Sequence, residues 1–417
     1  MGQIIGNCII AQSGGPTSVI NATAYGCIKE FLSTDNSYIV YAGIYGIEGI
    51  LQKKIMNVSK IPVNEIEKLR YMPSAAFGSN RYRLKDYKID NKEYIKLFDV
   101  FKDLNIRYFF YIGGNDSMDT ANKIFNYASS IGYELYVCGI PKTIDNDLVL
   151  TDHCPGFGSA AKFVATAGIE MWLDINAYKK ISVMVMEVMG RDTGWIAASS
   201  CVLKNAVSDM NLLIYLPEKA FDKQNFLSDV SNALEKKDKL LIVASEGLKD
   251  SNGKYIDVSE NCYQEDNYGH QQLGGIGKSL RQSIRNNITS EVKFAELGIL
   301  QRCSMHCASE TDIMEAEMVG RHSVRYALGG YTGFMTAIVR TKSDVYECAT
   351  KMIKLADVCN KIRYVPSEWL SGCGEGINQQ MLGYMEPLIF DVGKPYCFFG
   401  MDGRINPISF RRYAYSN

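Results

Sequence analysis

Short apolar runs, glycine-containing turns and amphipathic stretches alternate along this chain. Six runs have the length of buried strands, and they lie at 7–11, 107–112, 135–140, 181–188, 212–216 and 240–244. A helical period follows the first run over 18–31 and the second from about Met118. Apolar runs that end in glycine and alternate with helices are typical of parallel strands covered by helices on both faces. The pattern therefore predicts an α/β fold with mostly parallel sheets.

The length of 417 residues and the number of predicted strands favour two three-layer, Rossmann-like domains. We place the first domain at about 1–150 with a returning segment near 305–365. The second takes about 151–304 and part of the C-terminal segment. Polar residues cluster directly after the strands, at the carboxyl ends where doubly wound folds bind ligands.

Composition narrows the classes of partner. The formal net charge is −1, so no global field favours nucleic acid or an anionic membrane, and phosphate binding has to be local. The 12 cysteines are scattered and mostly lie in apolar runs, which indicates reduced thiols rather than a disulfide framework. No apolar run approaches the ~20 residues of a membrane span. The N-terminus lacks the features of a signal peptide, so a cytoplasmic location is expected.

Two glycine turns that follow predicted strands are candidate phosphate sites. The sequence SGGPT at 13–17 and the sequence GGNDS at 113–117 both precede a helix. Glycines let backbone amides approach an anion, and the helix contributes its positive end. Ser117 is a candidate helix cap. A tight strand–helix turn explains the first motif equally well, and Asp116 has an alternative role as a charge favoured by the helix dipole.

The sequence PKTIDND at 141–147 carries the strongest chemical signal. In an extended loop Asp145 and Asp147 point the same way, so one can take a proton from a hydroxyl while the other orients it or helps to hold Mg²⁺. Lys142 can neutralise charge on a transferring phosphoryl group. A solvated turn is the alternative.

Further polar groups follow the later strands. The sequence MGRDTG at 189–194 offers backbone amides and the guanidinium of Arg191, and Glu246 could accept hydrogen bonds from sugar hydroxyls. Arg81 and Arg302 are candidate phosphate ligands. Each of these signals is equally compatible with an ordinary loop or a surface arginine.

Taken in order, these motifs resemble the 6-phosphofructokinase family. The resemblance covers residues 7 to about 335 and rests on SGGP at 13–16, GSNR at 78–81, GGNDS at 113–117, PKTIDND at 141–147, MGR at 189–191, SEG at 245–247, YGH at 268–270 and LGILQR at 297–302. It implies an active site in the cleft between the two domains. Within the family, the chain looks like the pyrophosphate-dependent type.

The resemblance implies a role for each site residue. Asp145 would be the base that activates the 1-hydroxyl of fructose 6-phosphate, Asp147 would assist it, and Thr143 would hold the transferring phosphoryl beside Lys142. The implied donor-binding residues are Gly14, Gly15, Arg81, Gly114, Asp116 and Ser117. The implied sugar-phosphate residues are Thr143, Asp145, Met189, Gly190, Arg191, Glu246, Lys293 and Arg302. The implied Mg²⁺ ligands are Asn115, Asp116 and Asp147.

Two positions bear on the donor. ATP-using relatives usually have glycine where this chain has Asp116 and Lys142, and that pair of residues marks the pyrophosphate users. Asp116 would obstruct a nucleotide phosphate, while Lys142 would supply the charge compensation that a smaller donor needs. The chain departs from the family pattern at Asn115, commonly a metal-associated aspartate, and at Ile299, usually His or Tyr. Lys293 stands where ATP-using relatives have arginine.

We therefore expect an Mg²⁺-dependent glycolytic transferase that moves phosphoryl from pyrophosphate to C1 of fructose 6-phosphate, in either direction. The resemblance also implies a homo-oligomer, dimer or tetramer, with no nucleic-acid or membrane partner. Two alternatives stay open: an ATP-dependent phosphofructokinase, and a catalytically silent subunit that binds sugar phosphate.

Overall fold

The computed structural model describes residues 5–34, 38–207, 210–256, 273–341, 343, 345–370, 379–389, 397–398 and 401–402. The YGH motif at 268–270 and Cys262 lie outside these residues. The chain forms two compact units, each built from two segments. The first unit comprises 1–159 and 302–363, and the second comprises 160–301 and 364–417.

The strands are β1 (Asn7–Gln12), β2 (Val40–Gly43), β3 (Ile55–Asn57), β4 (Ile106–Gly113), β5 (Tyr136–Pro141), β6 (Ser182–Val188), β7 (Leu212–Tyr215), β8 (Lys239–Ser245), β9 (Val292–Glu296), β10 (Phe334–Arg340), β11 (Cys348–Lys354), β12 (Cys397–Phe398) and β13 (Met401–Asp402). The α-helices are α1 (Ile20–Leu32), α2 (Gly46–Leu51), α3 (Val63–Glu67), α4 (Lys92–Asp103), α5 (Asn115–Ser130), α6 (Phe157–Asn176), α7 (Trp195–Ser199), α8 (Leu203–Ala206), α9 (Lys223–Lys236), α10 (Ile276–Asn287), α11 (Leu300–Cys303), α12 (Glu310–Leu328), α13 (Leu355–Val358) and α14 (Gln379–Ile389).

The first unit is built on a seven-stranded sheet in the order β11-β10-β5-β4-β1-β2-β3. Its five middle strands are parallel, and β3 and β11 are antiparallel edges. Alternate residues of each strand face opposite sides of the sheet. In β4, Tyr108 and Phe110 face α1 and α12, whereas Phe109 and Tyr111 face α4 and α5. Because both faces are covered, β1, β4 and β5 are mostly apolar, which is the pattern that predicted them.

Helix α12 brings the returning segment of the chain onto the first unit by packing against α1. Small residues make this approach close: a Cβ at Gly26 would lie 2.2 Å from the carbonyl oxygen of Glu317, and one at Gly320 would lie 2.2 Å from that of Thr23. No larger residue fits either position without moving a helix.

The second unit contains a four-stranded, wholly parallel sheet in the order β7-β8-β6-β9. Helices α9 and α10 cover one of its faces, with Phe226, Val230 and Leu280 packed on Val185 and Ile242. The helix α10 begins at a buried carboxylate from the sheet. Glu187 in β6 accepts hydrogen bonds from the backbone N–H groups of Gly275 (3.1 Å) and Gly277 (2.7 Å).

The predicted α/β class is confirmed, and each of the six predicted strands is present within two residues of its predicted bounds. One local prediction is wrong. Helix α5 begins at Asn115, and its N-cap is Gly114 rather than Ser117. The Ser117 hydroxyl instead lies against Gly113, where a Cβ would come within 2.0 Å of it. In the part of the chain that the structure describes, no helix is long and apolar enough to cross a bilayer.

Candidate active site

Three neighbouring parallel strands of the first unit end at the same edge of its sheet. β1 pairs with β4, which pairs with β5, so that Gln12 lies opposite Ile112 and Gly113 lies opposite Pro141. The turns that follow these three strands are the segments 13–17, 113–117 and 141–147. The register of the sheet therefore brings together the three motifs that the sequence singled out.

The glycine turn after β1 lies against two cations. Lys142 Nζ donates a hydrogen bond of 2.6 Å to the carbonyl oxygen of Gly15. Gly14 has a left-handed backbone (φ +76°), and a Cβ there would lie 3.2 Å from the same Nζ. A Cβ at Gly15 would lie 2.7 Å from Nη1 of Arg302. The left-handed backbone of Gly14 favours glycine, and Arg302, which we assigned to the sugar phosphate, lies at this turn.

Arg81 follows a segment that is fixed to the same turn. The Gly14 N–H donates to the carbonyl oxygen of Asn80 (3.1 Å), and the Ser79 hydroxyl donates to that of Gly14 (2.6 Å). Lys142 is 3% exposed, and burial together with Arg81 and Arg302 lowers its pKa to about 7, against the opposite influence of Asp145 and Asp147. Lys142 is buried, Arg302 is half-buried and Arg81 is exposed, and three cations beside one turn are suited to an anion with several negative charges.

The two carboxylates stand on a loop that is not extended, contrary to the expectation. Asn146 between them is buried and left-handed (φ 54°), and its Oδ1 accepts a hydrogen bond of 3.0 Å from the Cys154 N–H. The argument that side chains two positions apart point the same way in an extended loop therefore does not apply to Asp145 and Asp147. The loop fold instead keeps both carboxylates within electrostatic reach of Lys142.

Asp147 and Asp145 differ in their surroundings. Burial raises the pKa of Asp147, opposed by a hydrogen bond with Thr143 and by the charges of Arg363 and Lys142. Its Oδ1 is buried without a hydrogen-bond partner. The backbone N–H of Asp145 donates to the hydroxyl of Thr143 at 3.1 Å. Thr143 thus links the two acidic residues.

The start of α5 carries the remaining residues that we predicted to bind the donor. Asp116 is exposed and Ser117 is buried. Both polar atoms of the Asn115 side chain have backbone partners: Oδ1 accepts from Asn360 N–H at 2.6 Å, and Nδ2 donates to the carbonyl oxygen of Lys361 at 2.5 Å. Asn115 thus fastens a distant segment, a role that the sequence did not indicate.

The second unit brings together four of the eight predicted sugar-phosphate residues, Met189, Gly190, Arg191 and Glu246. β6 and β8 are adjacent and parallel, so the turns after Val188 and Ser245 meet at one edge. The Met189 N–H donates to Oε1 of Gln301 (3.0 Å), and the Gly190 N–H lies 3.4 Å from Oε1 of Glu246. This fixes the backbone that precedes Arg191.

Lys293 is not part of this edge. It pairs with Met184 in the sheet, five positions before Met189, or about 16 Å along a strand. Its Nζ lies 2.8 Å from Oδ2 of Asp174 and over the ring of Tyr178.

Glu218 is a candidate that the sequence reasoning missed. Its Oε1 accepts hydrogen bonds from the backbone N–H groups of Gly194 (2.8 Å) and Val365 (3.1 Å), and burial raises its pKa. It holds the far end of the turn that carries Arg191. The available signal was its position just after the apolar run 212–216, the same rule that identified the other loops.

A family model described as phosphofructokinase matches residues 7–327. The chain belongs to the phosphofructokinase family. A protein of Halomonas elongata named pyrophosphate–fructose 6-phosphate 1-phosphotransferase is 40% identical, over 92% of this chain and 91% of its own. A solved structure of pyrophosphate-dependent phosphofructokinase from Nitrosospira multiformis is 33% identical, covers 96% of each chain and has a TM-score of 0.84. A protein of Alkalicoccus urumqiensis named sulfofructose kinase is 31% identical, over 87% of this phosphofructokinase-family chain and 95% of its own.

Proposed function

We propose that this phosphofructokinase transfers a phosphoryl group from pyrophosphate to the C1 hydroxyl of fructose 6-phosphate, giving fructose 1,6-bisphosphate and phosphate. The observation that carries the choice of donor is the buried Lys142 at the glycine turn, flanked by Arg81 and Arg302. The names of the most similar relatives agree with it. Pyrophosphate, an anhydride, and fructose 1,6-bisphosphate, an ester, are of similar energy as phosphoryl donors. The reaction therefore runs in both directions.

In the proposed mechanism, Asp145 accepts the proton of the C1 hydroxyl as the hydroxyl oxygen attacks the terminal phosphorus of pyrophosphate. The bond to the bridging oxygen breaks, and phosphate leaves. Lys142 and the two arginines compensate the negative charge on the transferring group and the leaving phosphate, a task that positioned cations perform in phosphoryl transfer. Thr143 orients the acidic loop and contacts the transferring group.

The residues present fit a Mg²⁺ ion. The buried Oδ1 of Asp147 has no hydrogen-bond partner, as expected of an atom reserved for a cation, and Asp116 is an exposed carboxylate. Among the described residues no cluster of three acidic, His or Cys side chains could hold a metal alone. Mg²⁺ is usually held by one or two carboxylates together with substrate phosphates. When bound, it would neutralise phosphate charge and orient the donor. Asn115, with both polar atoms engaged, we leave out of the ligand set.

The proposal gives the second unit the task of binding the sugar phosphate, through the backbone of Met189 and Gly190 and the side chains of Arg191 and Glu246. Lys293 lies away from these residues in its own chain. We propose that it serves the sugar-phosphate site of a neighbouring subunit in a homo-oligomer, as the family resemblance implies.

The test is product formation by the purified protein with Mg²⁺ and either pyrophosphate or ATP. Because one relative is named for sulfofructose, each donor is offered with fructose 6-phosphate and with sulfofructose. We expect turnover with pyrophosphate and fructose 6-phosphate. Turnover with ATP but not with pyrophosphate would support the ATP-dependent alternative. No turnover with any pair of donor and sugar would support the silent subunit.

The donor assignment predicts a gain of function. Asp116→Gly removes an exposed carboxylate at the start of α5, where a nucleotide phosphate would dock. We expect measurable ATP-dependent turnover in this variant, and a further increase when Lys142→Gly is added. Asp103→Asn, an exposed substitution in α4, is the matched control and should leave donor preference unchanged. Donor preference that is unchanged in both Asp116 variants would refute the assignment.

The base assignment predicts a selective loss. Asp145→Asn keeps the size of the side chain but cannot accept the proton, and general bases contribute roughly 10²–10⁴-fold to rate. We expect kcat to fall by about that factor while the dissociation constant of fructose 6-phosphate, measured by calorimetry, changes little. A variant with near-normal kcat would show that another group takes the proton.

A further inference from the structure

The segment 359–363 lies against the acidic loop, although it is distant in sequence. Arg363 and Thr151 are 212 positions apart and yet bonded. Arg363 is the last residue of the first unit. Neither the motif pattern nor the family resemblance drew attention to this segment, and the proposed mechanism does not use it.

Arg363 makes four hydrogen bonds to the backbone of the loop. Its own N–H donates to the carbonyl oxygen of Asp147 at 2.8 Å. Nε donates to that of Asn146 at 3.2 Å, and Nη1 donates to those of Thr151 (2.7 Å) and Asp152. One side chain therefore fixes the loop on both sides of its turn.

The loop needs such external bonds because it has no regular secondary structure of its own. Two of its residues, Asn146 (φ 54°) and Leu150 (φ 63°), are held in the left-handed region, which is unfavourable for residues other than glycine. Such conformations persist only where surrounding contacts enforce them. Arg363 donates a hydrogen bond to the carbonyl oxygen of Asn146 itself and another to that of Thr151, the residue after Leu150.

The same segment fixes the start of α5. Asn360, itself left-handed (φ 61°), donates its N–H to Oδ1 of Asn115 at 2.6 Å and its Nδ2 to Oδ1 of Asp119 at 3.1 Å. Residues 360–363 thus join the beginning of α5 to the acidic loop.

We propose that Arg363 is a positioning residue for phosphoryl transfer, which holds the loop of Asp145 and Asp147 in its reactive conformation through backbone carbonyls. This inference rests on the proposed function. It assigns Arg363 no contact with substrate, so its removal should reduce the rate of the chemical step rather than the binding of either substrate.

The test compares Arg363→Met and Arg363→Lys with Arg325→Met. Arg325 forms an exposed ion pair with Glu30 on the same unit and controls for the loss of an arginine. For Arg363→Met we expect kcat to fall roughly 10²-fold, the factor associated with a misplacement of about 1 Å. Both KM values should change less than about threefold. The kcat of Arg363→Lys should lie between those of the wild type and Arg363→Met, since an ammonium cannot reach all three carbonyl oxygens that the guanidinium bonds.

Hydrogen exchange of the wild type and the variants provides a readout that does not depend on turnover. We expect the amides of residues 143–152 to exchange faster in Arg363→Met and unchanged in Arg325→Met. This comparison holds even if the wild type proves inactive with every donor, so it separates this inference from the proposed function. Normal kcat, a loss confined to KM, or unchanged exchange would each overturn it. If Arg363→Met does not fold, the same criteria apply to Arg363→Lys.

Discussion

At the scale of single residues, Lys142 shows how burial changes the chemistry of a side chain. The lysine lies at the end of a buried strand, beside Gly15 and two arginines, and its pKa is lowered to about 7. A lysine in this environment is partly neutral near physiological pH in the absence of an anion. A bound pyrophosphate supplies negative charge and favours the ammonium form.

We therefore predict that pyrophosphate binding takes up a proton at Lys142. The uptake should be small at pH 6, where the lysine is already charged, and should approach one proton as pH rises to 8. Calorimetry in two buffers of different ionisation enthalpy measures it. Lys142→Arg, which stays charged throughout this range, should lack this component, and equal uptake by both proteins would contradict the prediction.

At the scale of elements, the acidic loop is fixed by a buried polar network at its C-terminal end. His153 is 1% exposed, with Nδ1 2.9 Å from Asp152 and Nε2 2.6 Å from Glu315 of α12. Arg340 of β10 also bonds Asp152 at 2.9 Å. Burial opposes the charged imidazolium, but the two carboxylates outweigh it and raise the pKa of His153 to about 9.

This pKa predicts how stability depends on pH. Because the folded pKa of about 9 exceeds the ordinary value of 6.5, the contribution of His153 is complete below pH 6.5 and is lost as pH rises through 9. Urea unfolding at pH 6, 8 and 9.5 should show this loss in the wild type. We expect His153→Gln to be less stable at pH 6 and to lose less between pH 6 and 9.5. His322→Gln serves as the control, since burial lowers the pKa of His322. A wild-type profile parallel to that of His153→Gln would contradict the assignment.

At the scale of the whole molecule, each unit is assembled from two separate segments of chain. In the first unit the returning segment supplies β10, β11 and α12, and also Arg302 and Arg363 of the site. The approach of α12 to α1 therefore decides whether these distant residues reach the motifs near the N-terminus. Gly26 and Gly320 make that approach possible.

We predict that Gly320→Ala destabilises the protein. A Cβ there would meet the Thr23 carbonyl oxygen at 2.2 Å, and the helices would have to separate. Overpacking of this kind costs about 1–3 kcal/mol, measured as the change in the free energy of unfolding in urea. Gly253→Ala and Gly132→Ala are poor controls because both glycines are left-handed, whereas a Cβ added at Gly383 of α14 would meet nothing within 4 Å. Gly383→Ala should not destabilise the protein, since alanine favours a helix over glycine, and an equal loss in both variants would refute the packing argument.

The sequence by itself determined the α/β class, six of the described strands and the candidate turns that follow them, because buried parallel strands are mostly apolar. It did not predict β2, β3, β9, β10 and β11, which are short or mix polar and apolar residues. It also singled out Lys142, Asp145 and Asp147 as candidate site residues, since all three stand in one motif.

Only the tertiary structure decided which distant residues join that motif. Arg302 lies at the glycine turn after β1, Lys293 lies away from Met189, and Asn115 and Arg363 fasten segments that are hundreds of positions apart. No local pattern marks such residues, because an arginine or asparagine that bonds backbone carbonyls has the same sequence context as one in solvent. Their roles depend on chain return and sheet register, which are properties of the fold.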